Sequence, residues 1–230
     1  MAKDVSILNT EVVIVGGGPF GLMLAIELGR RNVTTLLYDA KNGTVYNPQA
    51  NATQARTMEY FRRLGIADEI RALGMPADYP TDIAYFTRYG HHELGRFQLP
   101  ASSKANALVR SNQGSWTASE APHRVSQKFV EPVLRRLAEA HDSVTINFGW
   151  RMTEFKEGAS GVSAIFEQSE TGVTHNIDAN YLIGADGARS MVRKQLGYTL
   201  QGEYGKERHF LGGRMYAVYL RCPEFYEVVG

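Results

Sequence analysis

The apolar positions of this chain fall into short runs punctuated by glycine. Residues 11–15, Glu11-Val12-Val13-Ile14-Val15, form a run that ends in three glycines, the pattern of a buried parallel strand. Leu22, Ala25, Ile26 and Leu28 then recur at helical spacing, predicting a helix over residues 19–31. Asn32 follows, a residue suited to a left-handed helix C-cap. Residues 33–38 predict a second strand, so that a β-α-β unit closes at Asp39. A turn-rich stretch over residues 41–48 leads to a helix over residues 53–64 and a short helical piece through Leu73.

Beyond Pro76 the pattern changes to alternation. Residues 82–89 and 93–99 predict two strands joined around Gly90. Residues 102–123 are polar and irregular, which predicts a long functional loop. A helix is expected over residues 126–140, with Pro132 inside it. Strands are expected at 144–148, 152–155, 162–167, 173–177 and 181–183, then a short helix over 190–196 and a last strand within 211–220. No internal repeat or low-complexity tract interrupts the series.

At 230 residues and 43% hydrophobic, the chain has enough apolar material for a sizeable core. Its formal charge is +1 with both signs interspersed, which argues against nucleic-acid and anionic-membrane partners. Cys222 is the only cysteine, so an intrachain disulfide and a cysteine metal cluster are excluded. The N-terminus carries no signal-peptide pattern, and no apolar run approaches the roughly 20 residues of a membrane span. A soluble cytoplasmic protein is the expectation.

Gly16, Gly18 and Gly21 spell G-x-G-x-x-G between the first strand and the first helix, with Pro19 and Phe20 inside the motif. Gly16 suits a tight turn, Gly18 a close approach of backbone to a pyrophosphate, and Gly21 close helix–strand packing. The helix N-terminus offers amide protons and a positive dipole end to phosphates. Asp39, about 20 residues on, stands where a carboxylate accepts hydrogen bonds from ribose hydroxyls. This unit by itself does not separate FAD from NAD.

Three further strings do. They are Ala55-Arg56-Thr57-Met58-Glu59 with its continuation to Gly65, Arg124-Val125-Ser126-Gln127, and Gly184-Ala185-Asp186-Gly187-Ala188-Arg189-Ser190-Met191-Val192-Arg193. In that order after a dinucleotide loop, they resemble the single-component aromatic-ring flavoprotein monooxygenases. This is the para-hydroxybenzoate hydroxylase-like group, in its phenol and hydroxyphenylpropionate hydroxylase form. The resemblance implies an α/β fold, with a Rossmann-like FAD-binding domain, an inserted antiparallel β-sheet substrate region, and a C-terminal part missing here. It divides the chain into residues 1–75 and 116–198 for FAD, and 76–115 and the start of a substrate sheet at 199–230. The chain is therefore expected to be the N-terminal portion of a longer enzyme.

The resemblance also implies roles. Gly16, Gly18, Pro19, Phe20 and Gly21 would cradle the FAD pyrophosphate, and Asp39 the adenosine ribose. Gln127 would reach the flavin side of FAD, and Asp186 with Gly187 would serve FAD binding and NAD(P)H use. Arg193 would hold the Asp186 loop in shape. Where the family has a Pro-Arg-Ala string this chain has Pro48-Gln49-Ala50, leaving Arg56 as the substitute for the missing charge. NAD(P)H would act as a transient co-substrate reducing FAD. Oxygen from O₂ would then pass through a flavin hydroperoxide to an aromatic, phenolic small molecule. A homodimer is left open, and no catalytic side chain is assigned. Two other classes stay in view: a non-catalytic FAD-binding module and an NAD-dependent dehydrogenase.

Overall fold

The computed structural model describes residues 5–43, 50–88, 90–111, 118–202, 209–210, 213–214, 220–225 and 227. They fall into two compact units, Met1–Tyr46 with Val130–Tyr204, and Asn47–Phe129 with Gly205–Gly230.

The first unit is built on a six-stranded sheet. Its strands are β1 (Val5–Val15), β2 (Thr35–Asp39), β7 (Val144–Phe148), β8 (Trp150–Gly158), β9 (Gly161–Gln168) and β10 (Thr174–Gly184), in the order β7-β2-β1-β10-β9-β8. The first four in that order run parallel, and β9 and β8 are added antiparallel. Val12 to Val15 are all buried, as expected for a strand covered on both faces.

Helix α1 (Pro19–Gly29) follows the glycine loop with Pro19 at its first turn, where the missing N–H costs nothing. Asn32, at φ +56°, makes the expected left-handed stop. Beside β1, the core continues through Tyr38, Trp150, Phe155, Phe166 and Ile177. Tyr38 stacks on Phe166 at 4.1 Å between ring centroids, and its hydroxyl bonds His175 Nδ1 at 3.0 Å.

Burial pushes the Tyr38 hydroxyl up to about 12. The folded chain thus holds this proton more tightly than the unfolded chain, whose tyrosines titrate near ~10. The resulting stability is complete below pH ~10 and is lost as pH rises toward ~12. Thermal melts across that window should fall more steeply for the wild type than for Tyr38→Phe. Parallel curves would remove Tyr38 as the cause.

The second unit contains the helix pair α2 (Ala55–Arg63) and α3 (Ala67–Ala72), joined through Gly65 at φ +77°, with Met58, Phe61, Ile66 and Ile70 buried. Strand β3 (Ala52–Thr53) pairs antiparallel with β6 (His123–Arg124). The expected hairpin is present as β4 (Ile83–Phe86) and β5 (Glu93–Phe97), and Gly90 between them has φ +71°. Its base is tied by Asp82, which accepts from the Leu99 amide at 2.9 Å and from Arg96 at 3.0 Å. The Leu99 amide, aided by Arg96, holds the Asp82 carboxyl below its ordinary range. Two residues form each strand of a further pair, β11 (His209–Phe210) and β12 (Gly213–Arg214).

Helix α5 (Gln127–Glu139) begins in the second unit and continues into the first, with Pro132 inside it; α6 (Met191–Gln195) lies in the first unit. Two expectations are corrected. The stretch expected as one irregular loop opens with a helix, α4 (Ser102–Ser111), in which Ala105, Ala107 and Leu108 supply helix propensity among polar neighbours. The two strands expected at 173–177 and 181–183 are one, β10, because Asp178 pairs with both Asn9 of β1 and Ser163 of β9, and the pairing to β1 carries on past Asn180 to Tyr181 in the same register. The expected strand at 211–220 and the Pro48–Gln49 pair lie wholly or mostly outside the described residues. Among the described residues no helix is long and apolar enough to cross a membrane.

Candidate functional site

Strands β2, β1 and β10 are parallel neighbours, so Asp39, Val15 and Gly184 end on one edge of the sheet. Loops at the carboxyl ends of parallel strands are where open α/β sheets place their ligands. The Gly16 amide donates to the Tyr38 carbonyl at 2.8 Å, and the Ala185 amide donates to the Val15 carbonyl at 2.7 Å. The glycine loop and the Asp186-Gly187 corner are therefore adjacent.

Their contact is tight. Gly16 has φ +115°, and a Cβ there would collide with the Ala185 carbonyl. A Cβ on Gly21 would run into the Gly16 carbonyl oxygen, so the loop folds back on the first turn of α1 only with glycine at both positions. Gly18 differs: a Cβ there would meet nothing within 4 Å. Gly18 is also the N-cap of α1, and no side chain caps that helix. The first-turn amides of Phe20 and Gly21 thus lack a side-chain cap and have a positive dipole end behind them. The Phe20 side chain is 87% exposed.

Asp39 latches the loop. Its Oδ2 accepts from the Gly17 amide at 2.6 Å, and its Oδ1 accepts from the Lys41 amide at 2.7 Å. Each carboxylate oxygen keeps a lone pair for a further donor.

Asp186 plays a comparable part in its own corner. Its Oδ2 accepts from the amides of Met191 at 2.7 Å and Val192 at 3.3 Å, and Ser190 Oγ accepts from the Arg193 amide at 2.9 Å. Together they cap α6. Gly187 turns the corner at φ +77°, and Arg193 donates to the Ala188 carbonyl at 3.0 Å, bracing the loop. Asp186 Oδ1 is buried and accepts no hydrogen bond.

The structure brings together Gly16, Gly18, Pro19, Phe20, Gly21, Asp39, Asp186 and Gly187 within the first unit. Arg56 and Gln127 belong to the second. Arg56 lies on α2, pairs with Glu59 at 2.9 Å and is 79% exposed; Glu59 also accepts from the Ser119 amide and hydroxyl. Gln127 opens α5, half-buried, its amide bonded to the Ala50 carbonyl at 3.0 Å. Sequence reasoning missed Ser190, although Ser-x-x-Arg at a helix start is a legible capping position. It also missed the buried His123, whose Nδ1 meets Ser102 Oγ at 2.8 Å and whose Nε2 meets the Arg71 carbonyl at 3.1 Å. Burial, then the nearby Arg71 charge, lowers the His123 pKa. Among the described residues no group of three or more side chains is arranged to hold a metal.

Residues 9–219 match the family described as the FAD binding domain. The chain belongs to that family. Aklavinone 12-hydroxylase DnrF of Streptomyces peucetius is 35% identical over 89% of this chain and 40% of its own length. Phenol 2-monooxygenase of a Pseudomonas species is 29% identical over 86% of this chain and 32% of its own. Among solved structures, the flavin-dependent monooxygenase PieE in complex with FAD and substrate superposes with a TM-score of 0.73 at 31% identity, over 85% of this chain and 33% of that one. The chain spans 31–40% of the length of relatives such as these. The expected α/β FAD-binding fold is thereby established, and the dehydrogenase alternative falls away. The loop fits FAD on its own evidence: the space over Gly18 and the uncapped α1 amides suit a diphosphate, and Asp186 Oδ1 is a buried acceptor lacking a donor.

Proposed function

We propose that this chain holds the FAD of a monooxygenase that hydroxylates an aromatic small molecule using NAD(P)H and O₂. The observation that carries the reading is the abutment of two glycine corners, Gly16 against Ala185, at the ends of neighbouring parallel strands.

In this reading the amides of Phe20 and Gly21 neutralise the diphosphate, and Gly18 lets it approach. Asp39 fixes the loop through Gly17 and accepts from the adenosine ribose with its remaining lone pairs. Asp186 orients the second corner and offers Oδ1 to a hydroxyl of the cofactor, while Gly187 keeps the backbone close. Gln127 serves the flavin side, and Arg56 supplies positive charge toward the diphosphate. Residues 76–115 and 199–230 are assigned to the substrate region. Bound FAD supplies electron transfer from NAD(P)H and the chemistry of oxygen insertion; the protein supplies position and exclusion of water. The monooxygenase names of the relatives support this assignment.

The test is direct. Purified chain titrated with FAD should bind it saturably, with a shifted flavin absorbance band, and FAD should outcompete NAD. Added NAD(P)H should bleach the bound flavin, and an aromatic substrate should quicken its consumption in air. Folded protein with no saturable FAD binding would end the proposal. FAD binding with no reduction by either nicotinamide would reduce the chain to a non-catalytic module.

A further inference from the structure

Asn42 and Gly43 form the one Asn-Gly pair of the chain. They stand just beyond Asp39, in the loop that leaves the carboxyl end of β2. Glycine has no Cβ to crowd its own nitrogen, so in this pair the nitrogen most readily reaches the preceding side-chain carbonyl carbon. Gly43 has φ +133°, Asn42 is exposed to water, and among the described residues the Gly43 amide donates to no acceptor. Nothing holds that nitrogen back.

The Asn42 side chain meanwhile ties the loop down. Its Nδ2 donates to Glu170 Oε1 at 3.1 Å, and its Oδ1 lies over Gly149, where a Cβ would stand 2.8 Å from it. The Gly149 amide donates to the Lys41 carbonyl at 2.9 Å, and the Lys41 amide donates to Asp39 Oδ1 at 2.7 Å. A continuous string of bonds thus runs from the β9–β10 turn to Asp39, all of it inside the first unit.

We propose that Asn42 is a self-modification site, deamidating to aspartate and isoaspartate, and that the product loosens the Asp39 loop and lowers FAD affinity. The second half rests on the reading of Asp39 as part of the FAD site. The Gly43 nitrogen gives its proton to solvent and bonds to Asn42 Cγ, closing a five-membered ring. The Cγ–Nδ2 bond breaks, and the nitrogen leaves as ammonia with a proton from water. Water then opens the ring at Cγ to give aspartate, or at the backbone carbonyl carbon to give isoaspartate. One water enters, one ammonia leaves, and nothing is oxidised or reduced. Either product replaces the donor facing Glu170 with a second carboxylate, so the tether is lost and like charges oppose each other. Isoaspartate also lengthens the backbone by one atom next to the Lys41 carbonyl.

The purified chain, aged in mildly alkaline buffer, should gain the mass of an amide-to-acid conversion at Asn42 before any other asparagine, located by peptide mass spectrometry. Asn42→Gln would have to close a larger ring and should react at least about tenfold more slowly. Asn42→Asp, the product made directly, should bind FAD about threefold to tenfold more weakly and melt below the wild type. Asn42→Asp combined with Glu170→Gln exchanges donor and acceptor and should recover both, which general damage to the loop would not allow. The inference is overturned if aged protein keeps the Asn42 amide, or if Asn42→Asp matches the wild type in both FAD affinity and melting. Fresh protein that binds no FAD overturns the cofactor assignment instead. Mass spectrometry and the melts of the single and double variants then decide the modification and the loosening by themselves.

Discussion

Gly18→Ala is expected to leave the protein folded and to weaken FAD binding by about a hundredfold, the loss of two charge-assisted hydrogen bonds at ~1.5 kcal/mol each. Gly18 has φ −75° and ψ −177°, a conformation open to any residue, and its Cβ would touch no protein atom. Nothing in the free protein opposes the methyl group. It would stand in the space through which a diphosphate reaches the amides of Phe20 and Gly21. Gly16→Ala makes the contrast. There the backbone is left-handed and the Cβ overlaps the Ala185 carbonyl, so strain of ~1–3 kcal/mol falls on the free protein as well. Gly16→Ala should therefore lower both the melting temperature and the FAD affinity, and Gly18→Ala the affinity alone. Flavin titrations and thermal melts on the two variants check the pair. Wild-type affinity in Gly18→Ala would show that no phosphate passes over that residue.

The two glycines were equally visible in the sequence, but their different environments were not. Local pattern was enough for the strand, loop and helix around them, because an apolar run ending in glycines and a helix ending at Asn32 are short-range signals. It was enough for the strands of β7, β8 and β9 too, where alternation is strong. It failed where pairing across the sheet decides. Strand β1 begins at Val5, well before the apolar run, because residues 5–10 pair with Thr174 to Ala179 of β10. The pairing to β1 also holds Asp178 and, on either side of Asn180, Ala179 and Tyr181, so the strand runs on where polarity would have broken it. Helix α4 was hidden for the opposite reason: serine, lysine and asparagine mask a segment whose alanines and leucine carry the helix.

The candidate site divides along the same line. The glycines and Asp39 were readable because their spacing is tied to a mechanism, and the Asp186-Gly187 string only through its resemblance to a family motif. That Gly16 touches Ala185 was not readable, since it depends on the register placing Val15 opposite Gly184, 169 residues apart by their numbers. Nor was the latch from Asp39 to Gly17. A carboxylate expected to address a ribose is already bonded to the glycine loop through the Gly17 amide. For Arg56 the sequence located the helix, while its pairing with the i, i+3 neighbour Glu59 was not read.

Asp186 combines two duties that substitution can separate. Its Oδ2 caps α6 through the Met191 and Val192 amides, and its Oδ1 is a buried acceptor with no donor. Asp186→Ala removes both and should cost ~1 kcal/mol of stability, the usual worth of an N-cap. It should also weaken FAD by about tenfold, the value of one hydrogen bond to a charged acceptor. Asp186→Asn retains one oxygen, which can keep the cap, and places an NH₂ group where Oδ1 stands. An NH₂ group donates and does not accept, so a cofactor hydroxyl that had donated to Oδ1 loses its partner. Asp186→Asn should then melt close to the wild type yet bind FAD as poorly as Asp186→Ala. Full FAD affinity in the asparagine variant would confine Asp186 to capping, and the second corner would owe its place in the site to Gly187 and the backbone alone.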